Sequence, residues 1–346
     1  MTPFKPIPSQ PLLSFCIPSY NRLIRVRELV LSLLSLPEPD IEVIVLDNGS
    51  TDGTFDELKQ ITDPRFKLTA NPENRGALFN MVNVFGYASG EYVVYSTDQD
   101  RTNVERLNEF KAFLRSYPGV SCGFCEFDMP GGQRHKIFSR GYEAVNAIAY
   151  KGRHPTGYFF RNDHLRTVRL AERMADFNVV DLFPLEFALG EVALIGDGAI
   201  YDGGLFSPNN GDDVVEHKSA TTNGASKNAF FAPATRLKLA VSYSRHVEQL
   251  PLSQGEKSQL LAQIFFAELR AATVGYRNVM ANERLCIHYR TEPRKIGGME
   301  MIRIGVNFTQ GYFAQRFGRA NRSALAFTGN MLSHLSRKLA GRLSRV

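Results

Sequence analysis

Cysteine is scarce in this chain of 346 residues: there are four, Cys16, Cys122, Cys125 and Cys286, too few for a disulfide scaffold. Cys122-Gly123-Phe124-Cys125 has neither a second such pair nor a histidine pair to complete a zinc site, so it reads as two small side chains packed in a strand. Long apolar runs are missing as well. The best, residues 29–36, is short and contains serine, far from the roughly 18 apolar residues a membrane-spanning helix needs. The first residues lack the charged, apolar and small-residue succession of a secretory signal. Together these absences lead us to expect a cytoplasmic chain that does not cross a membrane. Internal repeats and low-complexity tracts are absent from the sequence too. So are a Gly-x-Gly-x-x-Gly fingerprint after the first apolar run and any Gly-x-x-x-x-Gly-Lys loop, which removes most of the ground for a dehydrogenase or a P-loop enzyme.

What the sequence does have is a globular composition, 43% hydrophobic and 22% charged, with length enough for a sizeable core. Its 41 Lys and Arg against 35 Asp and Glu give a net charge of +6, which invites a nucleic-acid or anionic-membrane partner. The location of the excess narrows that reading. Seven basic residues and no acid fall in 316–346 (Arg316, Arg319, Arg322, Arg337, Lys338, Arg342, Arg345), so the preceding residues hold 34 basic against 35 acidic. The body is neutral and the tail cationic.

Residues 12–17 form an apolar run that stops at Pro18, and apolar residues at helical spacing follow over 23–36. Residues 41–46 (IEVIVL) have the character of a buried strand, end in Asp47-Asn48-Gly49-Ser50, and give way to a helix expected from Thr51. Residues 66–69 predict a third strand, 77–88 a helix, and 92–96 a fourth strand that runs into Thr97-Asp98-Gln99-Asp100. A helix over 104–117 and a strand over 120–127 come next. This alternation predicts an α/β fold, a mixed but mainly parallel sheet with helices on both faces. Past Met129-Pro130-Gly131-Gly132 the pattern breaks, and 142–231 reads as short elements and loops with one clear helix near 185–194. Pro251 marks an expected boundary, 260–279 a long helix, and 299–317 an aromatic-rich stretch. The expected division is a first domain over 1–250 (a nucleotide-binding half at 10–128, an acceptor half at 129–250), a helical C-terminal extension over 251–315 and the basic tail over 316–346.

Ligands of open parallel sheets bind beyond the carboxyl ends of the strands, and here each such end carries polar residues: Pro18-Ser19-Tyr20-Asn21, Asp47-Asn48-Gly49, residues 71–76 and Asp98-Gln99-Asp100. Each is an ordinary turn sequence by itself. Without a glycine loop, a diphosphate can be held by paired carboxylates gripping a divalent ion that bridges its oxygens. Asp98 and Asp100 have that spacing and suit Mg²⁺ or Mn²⁺; the alternative is that they only cap the helix that follows.

In order and spacing these segments resemble the family 2 glycosyltransferases of GT-A fold. The residues that carry the resemblance are Phe15-Cys16-Ile17-Pro18-Ser19-Tyr20-Asn21-Arg22, Val43-Ile44-Val45-Leu46-Asp47-Asn48-Gly49-Ser50-Thr51-Asp52, Asn74-Arg75-Gly76 and Ala88-Ser89-Gly90-Glu91-Tyr92 through Thr97-Asp98-Gln99-Asp100. The resemblance implies that Pro18, Tyr20, Asn21 and Asp47, with Asn48 beside them, hold the base and ribose of a nucleotide-sugar. It further implies that Arg75 and Gly76 lie along the nucleotide, with Thr97 and Asp98 at the diphosphate, and that Asp98 and Asp100 form the Asp-x-Asp metal motif. The family usually has an acid where this chain has Asn48. It supplies a catalytic base from a helix start before a strand, which implies Glu186, with Asp181 in reserve; the alternative is that Glu186 only complements the dipole of a helix that starts after Pro184. By the same resemblance Thr156 and Gly157, in His154-Pro155-Thr156-Gly157, belong near the donor sugar. His217 sits where a histidine joins the metal or the diphosphate, or it is a solvated loop residue. The small polar stretch 219–228 has the composition of a lid or of a plain loop.

In the tail, Leu332, Leu335, Leu339, Leu343 and Val346 share a helix face from which Lys338, Arg342 and Arg345 fall away. Such a helix lies on an anionic membrane surface or docks on the body with solvated arginines. Aromatics are too few there for nucleic acid. The expected activity is a metal-dependent, inverting transfer from a nucleotide-diphosphate sugar, UDP-sugar favoured. The expected acceptor is a hydroxyl of a glycan or polyprenyl-linked saccharide in bacterial surface polysaccharide synthesis, with the enzyme peripheral at the inner membrane face. A sugar-phosphate nucleotidylyltransferase and a non-catalytic glycan- or nucleotide-sugar-binding module are the alternatives.

Overall fold

The structure, a computed structural model, describes residues 10–127, 134–176, 183–207, 230–288 and 291–317. The chain divides into two compact units, residues 1–211 and 212–346.

The first unit is built on a nine-stranded sheet of order β3-β2-β1-β4-β8-β6-β9-β5, with β7 paired to β9. β1 (Leu13–Ser19) and β2 (Ile41–Asp47) are buried at nearly every position, as their unbroken apolar runs require of strands covered on both faces. They pair in parallel with each other, β2 with β3 (Phe66–Ala70) and β1 with β4 (Tyr92–Tyr95). The crossovers are α1 (Leu23–Leu34), α2 (Thr54–Leu58) and α3 (Ala77–Asn83). α1 buries Val26, Leu29, Val30 and Leu33, the one-face spacing of an amphipathic helix. After a two-residue β5 (Arg101–Thr102), α4 (Leu107–Ser116) buries Leu107, Phe110, Phe113 and Leu114 against the same core, which includes Phe15, Val43, Val94 and Phe159. Lys111 of that helix is buried too, because its Nζ reaches Glu38 Oε2 at 2.7 Å and Asp40 Oδ1 at 2.6 Å.

β6 (Val120–Phe127), β7 (Arg134–Phe138), α5 (Tyr142–Ile148), β8 (Tyr158–Arg161), α6 (Asn162–Val168), α7 (Pro184–Val192) and β9 (Asp197–Ser207) complete the unit. β8 is antiparallel to both β4 and β6, while β6 and β9 are parallel. The sheet is therefore mixed and mainly parallel on its first side, as expected. β9, eleven residues long, did not stand out in the sequence because Gly198, Gly203 and Gly204 dilute its apolar alternation. α2 starts three residues later than expected, since Asp52 Oδ1 accepts from the Thr54 amide at 3.0 Å and sets the helix start there.

The second unit is helical: α8 (Pro233–Gln249), α9 (Gln254–Arg270), a π turn (Ala271–Gly275), α10 (Tyr276–Met280), α11 (Glu283–His288) and α12 (Gly298–Phe317). Ser253 and Glu256 form a capping box at the start of α9. Leu239, Tyr243, Leu260, Ile264, Phe265, Phe308 and Tyr312 are buried, and Ser244 bonds Tyr312 at 2.7 Å. The boundary expected at Pro251 falls inside this unit, where Pro251 lies in the short turn between α8 and α9. The long helix expected over 260–279 is found from Gln254 to Met280, passing through the π turn, where Thr273 Oγ1 donates to the Leu269 carbonyl at 2.7 Å. Among the described residues no helix is long and apolar enough to cross a membrane. The four cysteines are free and buried. The basic tail beyond residue 317, Asp181, His217 and the stretch 219–228 lie outside the described residues.

Candidate active site

Because β1, β2 and β4 are neighbours and parallel, their carboxyl ends open on one edge of the sheet, with Ser19 beside Asp47 in register. The loops after β1 and β2 are tied to each other. Asp47 accepts at both carboxylate oxygens from Ser50, from its amide at 2.9 Å and from its hydroxyl. Asn21 sits at φ 51, a left-handed conformation that Asn tolerates better than most residues. From there its amide donates to Ser50 Oγ at 2.8 Å while its Oδ1 accepts from the Thr51 amide at 2.8 Å. Pro18 and Tyr20 are half-buried at this rim.

Asn48 is the hub of the second loop. Its Nδ2 donates to Asn74 Oδ1 at 2.9 Å and to the Gly76 carbonyl at 3.3 Å, while its Oδ1 accepts from Asn71 Nδ2 at 2.9 Å and from the Arg75 amide at 3.1 Å. An aspartate could accept but not donate. The departure from the acid usual at this position is thus explained by its neighbours: Asn48, buried at 2% exposure, organises the 71–76 loop. Gly49 is required by the same loop, since a Cβ there would come within 2.7 Å of the Glu73 carbonyl carbon, and its φ is +72. Arg75 is exposed with its guanidinium 3.6 Å from the Phe79 ring centroid, and Gly76, at φ +88, begins α3.

Past β4, Asp98 is buried. Its Oδ2 accepts from Ser19 Oγ at 2.8 Å and its Oδ1 lies 3.6 Å from Arg22 Nε. Gln99, with its amide oxygen turned to Arg22, accepts from both terminal nitrogens of that side chain at 2.8 and 2.9 Å. Burial pushes the Asp98 carboxyl above the ordinary carboxylate range in spite of Arg22 and Ser19. Asp100 takes two hydroxyls on one oxygen: Thr97 Oγ1 donates to Oδ2 at 2.6 Å, and so does Thr156 Oγ1. The Thr97 amide donates to Thr156 Oγ1 at 3.0 Å, and His154 Nδ1 lies 3.5 Å from the same Asp100 oxygen.

Two hard-oxygen carboxylates at one strand end, one of them with its charged form disfavoured by burial, suit a small divalent cation that completes its shell with phosphate oxygens and water. Among the described residues no group of three His, Cys, Asp or Glu is arranged to hold a metal. Ser19, Arg22 and His154 were not singled out by the sequence. The first two sit inside a motif whose periodicity says nothing about their partners, and His154 precedes Thr156 by two residues in a segment assigned to the donor sugar.

Glu186 is fully buried near the start of α7. Its Oε2 accepts from the Lys151 amide at 3.0 Å, and its Oε1 from the Arg153 amide at 3.1 Å and the Tyr158 hydroxyl at 2.6 Å. The carboxylate has no exposed face, and both of its oxygens are engaged by its own chain.

Comparison with known proteins accords with this geometry. Residues 14–181 match the family model Glycosyl transferase family 2. A stretch of the chain is 26% identical to the Campylobacter jejuni GalNAc(5)-diNAcBac-PP-undecaprenol beta-1,3-glucosyltransferase, over 41% of this chain and 47% of that protein. Another is 29% identical to the Escherichia coli UDP-Glc:alpha-D-GlcNAc-diphosphoundecaprenol beta-1,3-glucosyltransferase WfgD, over 26% of this chain and 35% of that one. The chain thus spans half or less of the length of these two relatives. In three dimensions it resembles residues 1–349 of S. aureus TarS, solved in complex with UDP, at a TM-score of 0.54 and 15% identity, covering 90% of this chain and 93% of that one. The likeness shows a shared fold.

Proposed function

We propose, for a chain that belongs to glycosyltransferase family 2 through residues 14–181, that it transfers one sugar from a UDP-sugar to a hydroxyl of a glycan or polyprenyl-linked acceptor in bacterial surface polysaccharide synthesis. The observation that carries this reading is the placement of Asp47 after β2 and of Asp98 and Asp100 after β4, on either side of the parallel β1, whose Ser19 is bonded to Asp98. Asp47 and the rim of Pro18, Tyr20 and Asn21 hold base and ribose, and Arg75 and Gly76 flank the nucleotide. The UDP-bound TarS neighbour and the UDP-Glc relative favour uracil as the base.

Asp98 and Asp100 would hold Mn²⁺ or Mg²⁺, which when bound neutralises charge on the departing diphosphate. Arg22 and Ser19 keep the Asp98 carboxylate turned to the site, and Thr97 and Thr156 do so for Asp100. For inversion, a carboxylate must take the acceptor proton on the face opposite the diphosphate. The burial of Glu186 leaves that role to Asp181. His217 remains a candidate third group at the diphosphate.

The test is a thermal-shift series of UDP-sugars and of other nucleotide-sugars with and without Mn²⁺, since a donor that binds only the folded state raises its melting temperature. A metal-dependent shift with a UDP-sugar is expected; no shift with any nucleotide-sugar sinks the reading. Asp181→Asn should keep that shift and lose turnover. For residues 316–346, the charge pattern supports docking on anionic lipid. Truncation at 315 should abolish co-sedimentation with phosphatidylglycerol vesicles, and equal binding without the tail removes the idea.

A further inference from the structure

The segment between α5 and β8 carries Thr156 and His154 to Asp100, and its path is unusual. Tyr150 and Gly152 both sit at φ 60 and Gly157 at φ 94, so the backbone visits the left-handed region three times in eight residues. For Tyr150, which has a Cβ, that conformation is costly. The segment persists because it is gripped from outside. α7 provides the grip at three points of one face: the Glu186 carboxylate takes the amides of Lys151 and Arg153, the Phe187 ring meets the Tyr150 ring edge-on at 6.5 Å, and Gly190 leaves room for the Tyr150 hydroxyl, with which a Cβ there would collide. Arg153 adds a second fastening, its guanidinium 3.5 Å from the Phe124 ring centroid and its Nη1 on the Ile148 carbonyl at 2.9 Å. At the far end the Gly157 amide donates to the Tyr95 carbonyl at 2.8 Å.

We infer that Glu186 is a positioning residue: through the amides of Lys151 and Arg153 it fixes the segment that sets the Thr156 hydroxyl and the His154 ring against Asp100. A glutamate fits the task better than a glutamine, since three donors converge on its two oxygens and a glutamine would turn an NH₂ toward one of them. Its place in the first turn of α7 also favours the charge. This role rests on the proposed function only for its catalytic consequence, because the grip itself is a property of the free protein.

The experiment compares the wild type with Glu186→Gln, Thr156→Val and the double variant. On the free proteins, amide exchange at Lys151 and Arg153 and the amide resonance of Thr97, whose N–H donates to Thr156, are read by NMR. UDP affinity and turnover of the UDP-sugar that gives the shift are measured alongside. In Glu186→Gln the two amides should exchange at least about tenfold faster and the Thr97 resonance should move, with UDP affinity within about twofold. Turnover should fall roughly 10- to 100-fold, the scale of a misplaced catalytic group. The double variant should be no more than about twofold below the worse single, since both changes break one chain of contacts. Multiplying losses would overturn the inference. So would faster exchange with Thr97 and turnover unmoved, which marks a merely structural glutamate, or a far larger loss of turnover with the amides still protected, which marks a base. Should Glu186→Gln fail to fold, Tyr158→Phe, which removes one donor, must show the same pattern at smaller amplitude. If the wild type turns over no nucleotide-sugar, the functional reading fails while exchange and the Thr97 resonance still decide the positioning claim.

Discussion

The loops after β1 and β2 brace one another through their own turn residues, whereas the segment that brings Thr156 to Asp100 is braced by a helix beginning at Pro184. In the first case Asp47 is held by Ser50, and Asn21 spans to Ser50 and Thr51; the bonding partners are the motif itself. In the second, the residue that does the holding, Glu186, is buried and separated from its partners by α6 and a long connection. A site held by its own turn can be carried over as a short cassette. One held through α7 has to evolve together with the helix that grips it.

The largest effect is expected at Asp100, where the turn after β4 meets the segment before β8. Asp100 takes Thr97 from one side and Thr156 from the other, so Asp100→Ala should cost turnover by a factor of about 10³ or more, roughly 4 kcal/mol of barrier, with the melting temperature little changed. UDP release in a coupled assay measures it, and a loss under tenfold would argue that the carboxylate is incidental. A smaller effect belongs to the locally braced half. Asn48→Asp introduces the acid that the resemblance leads one to expect there, yet it removes both donors that face the Gly76 carbonyl and Asn74 Oδ1. It should cost about 2 kcal/mol of stability, read as a lower urea midpoint, and weaken UDP binding; a neutral outcome would mean that the 71–76 loop is held by something other than Asn48.

The smallest effect is at the opposite ends of the same strands. Glu42 of β2 accepts from Ser14 and from the Ser89 hydroxyl at 2.8 Å, with Lys67 Nζ at 2.5 Å. Burial raises its carboxyl, but the bonds from Lys67, Ser14 and Ser89 outweigh burial and leave it below the ordinary range. A group whose folded value is depressed contributes stability that is present above its unfolded value, about 4.3 for glutamate, and lost as pH falls through the folded one. Glu42→Gln should therefore flatten the decline of the urea midpoint between about pH 5 and pH 3. Equal slopes would show that the acid sensitivity lies elsewhere.

The same contrast decides what could be read in advance. β1, β2 and β4 are continuous apolar runs ending in polar turns, and their existence follows from periodicity while their parallel direction follows from the helices that alternate with them. Asp98, Asp100 and Asp47 fall where the spacing puts them. Asn48 read only as a departure from the usual acid, because a sequence does not show that both ends of its amide are occupied. Glu186 stood at a helix start, the right place for either a base or a charge that complements the helix dipole, and its burial and its bonds to Lys151, Arg153 and Tyr158 are not visible in the sequence. The glycine-diluted β9, the antiparallel β8 and the reach of α7 depend on pairings between residues far apart in the chain, which periodicity does not encode.

The π turn at Ala271–Gly275 interrupts what would otherwise be one rod from Gln254 to Met280. A π turn takes up one extra residue without opening the helix, and each residue turns an α-helix by about 100°. The turn holds one residue more than an α-helical turn would, so α10 is set about 100° round the axis from where an unbroken α-helix would present it. Tyr276 to Met280 therefore present their side chains on a different face from the one that the register of α9 would have given them.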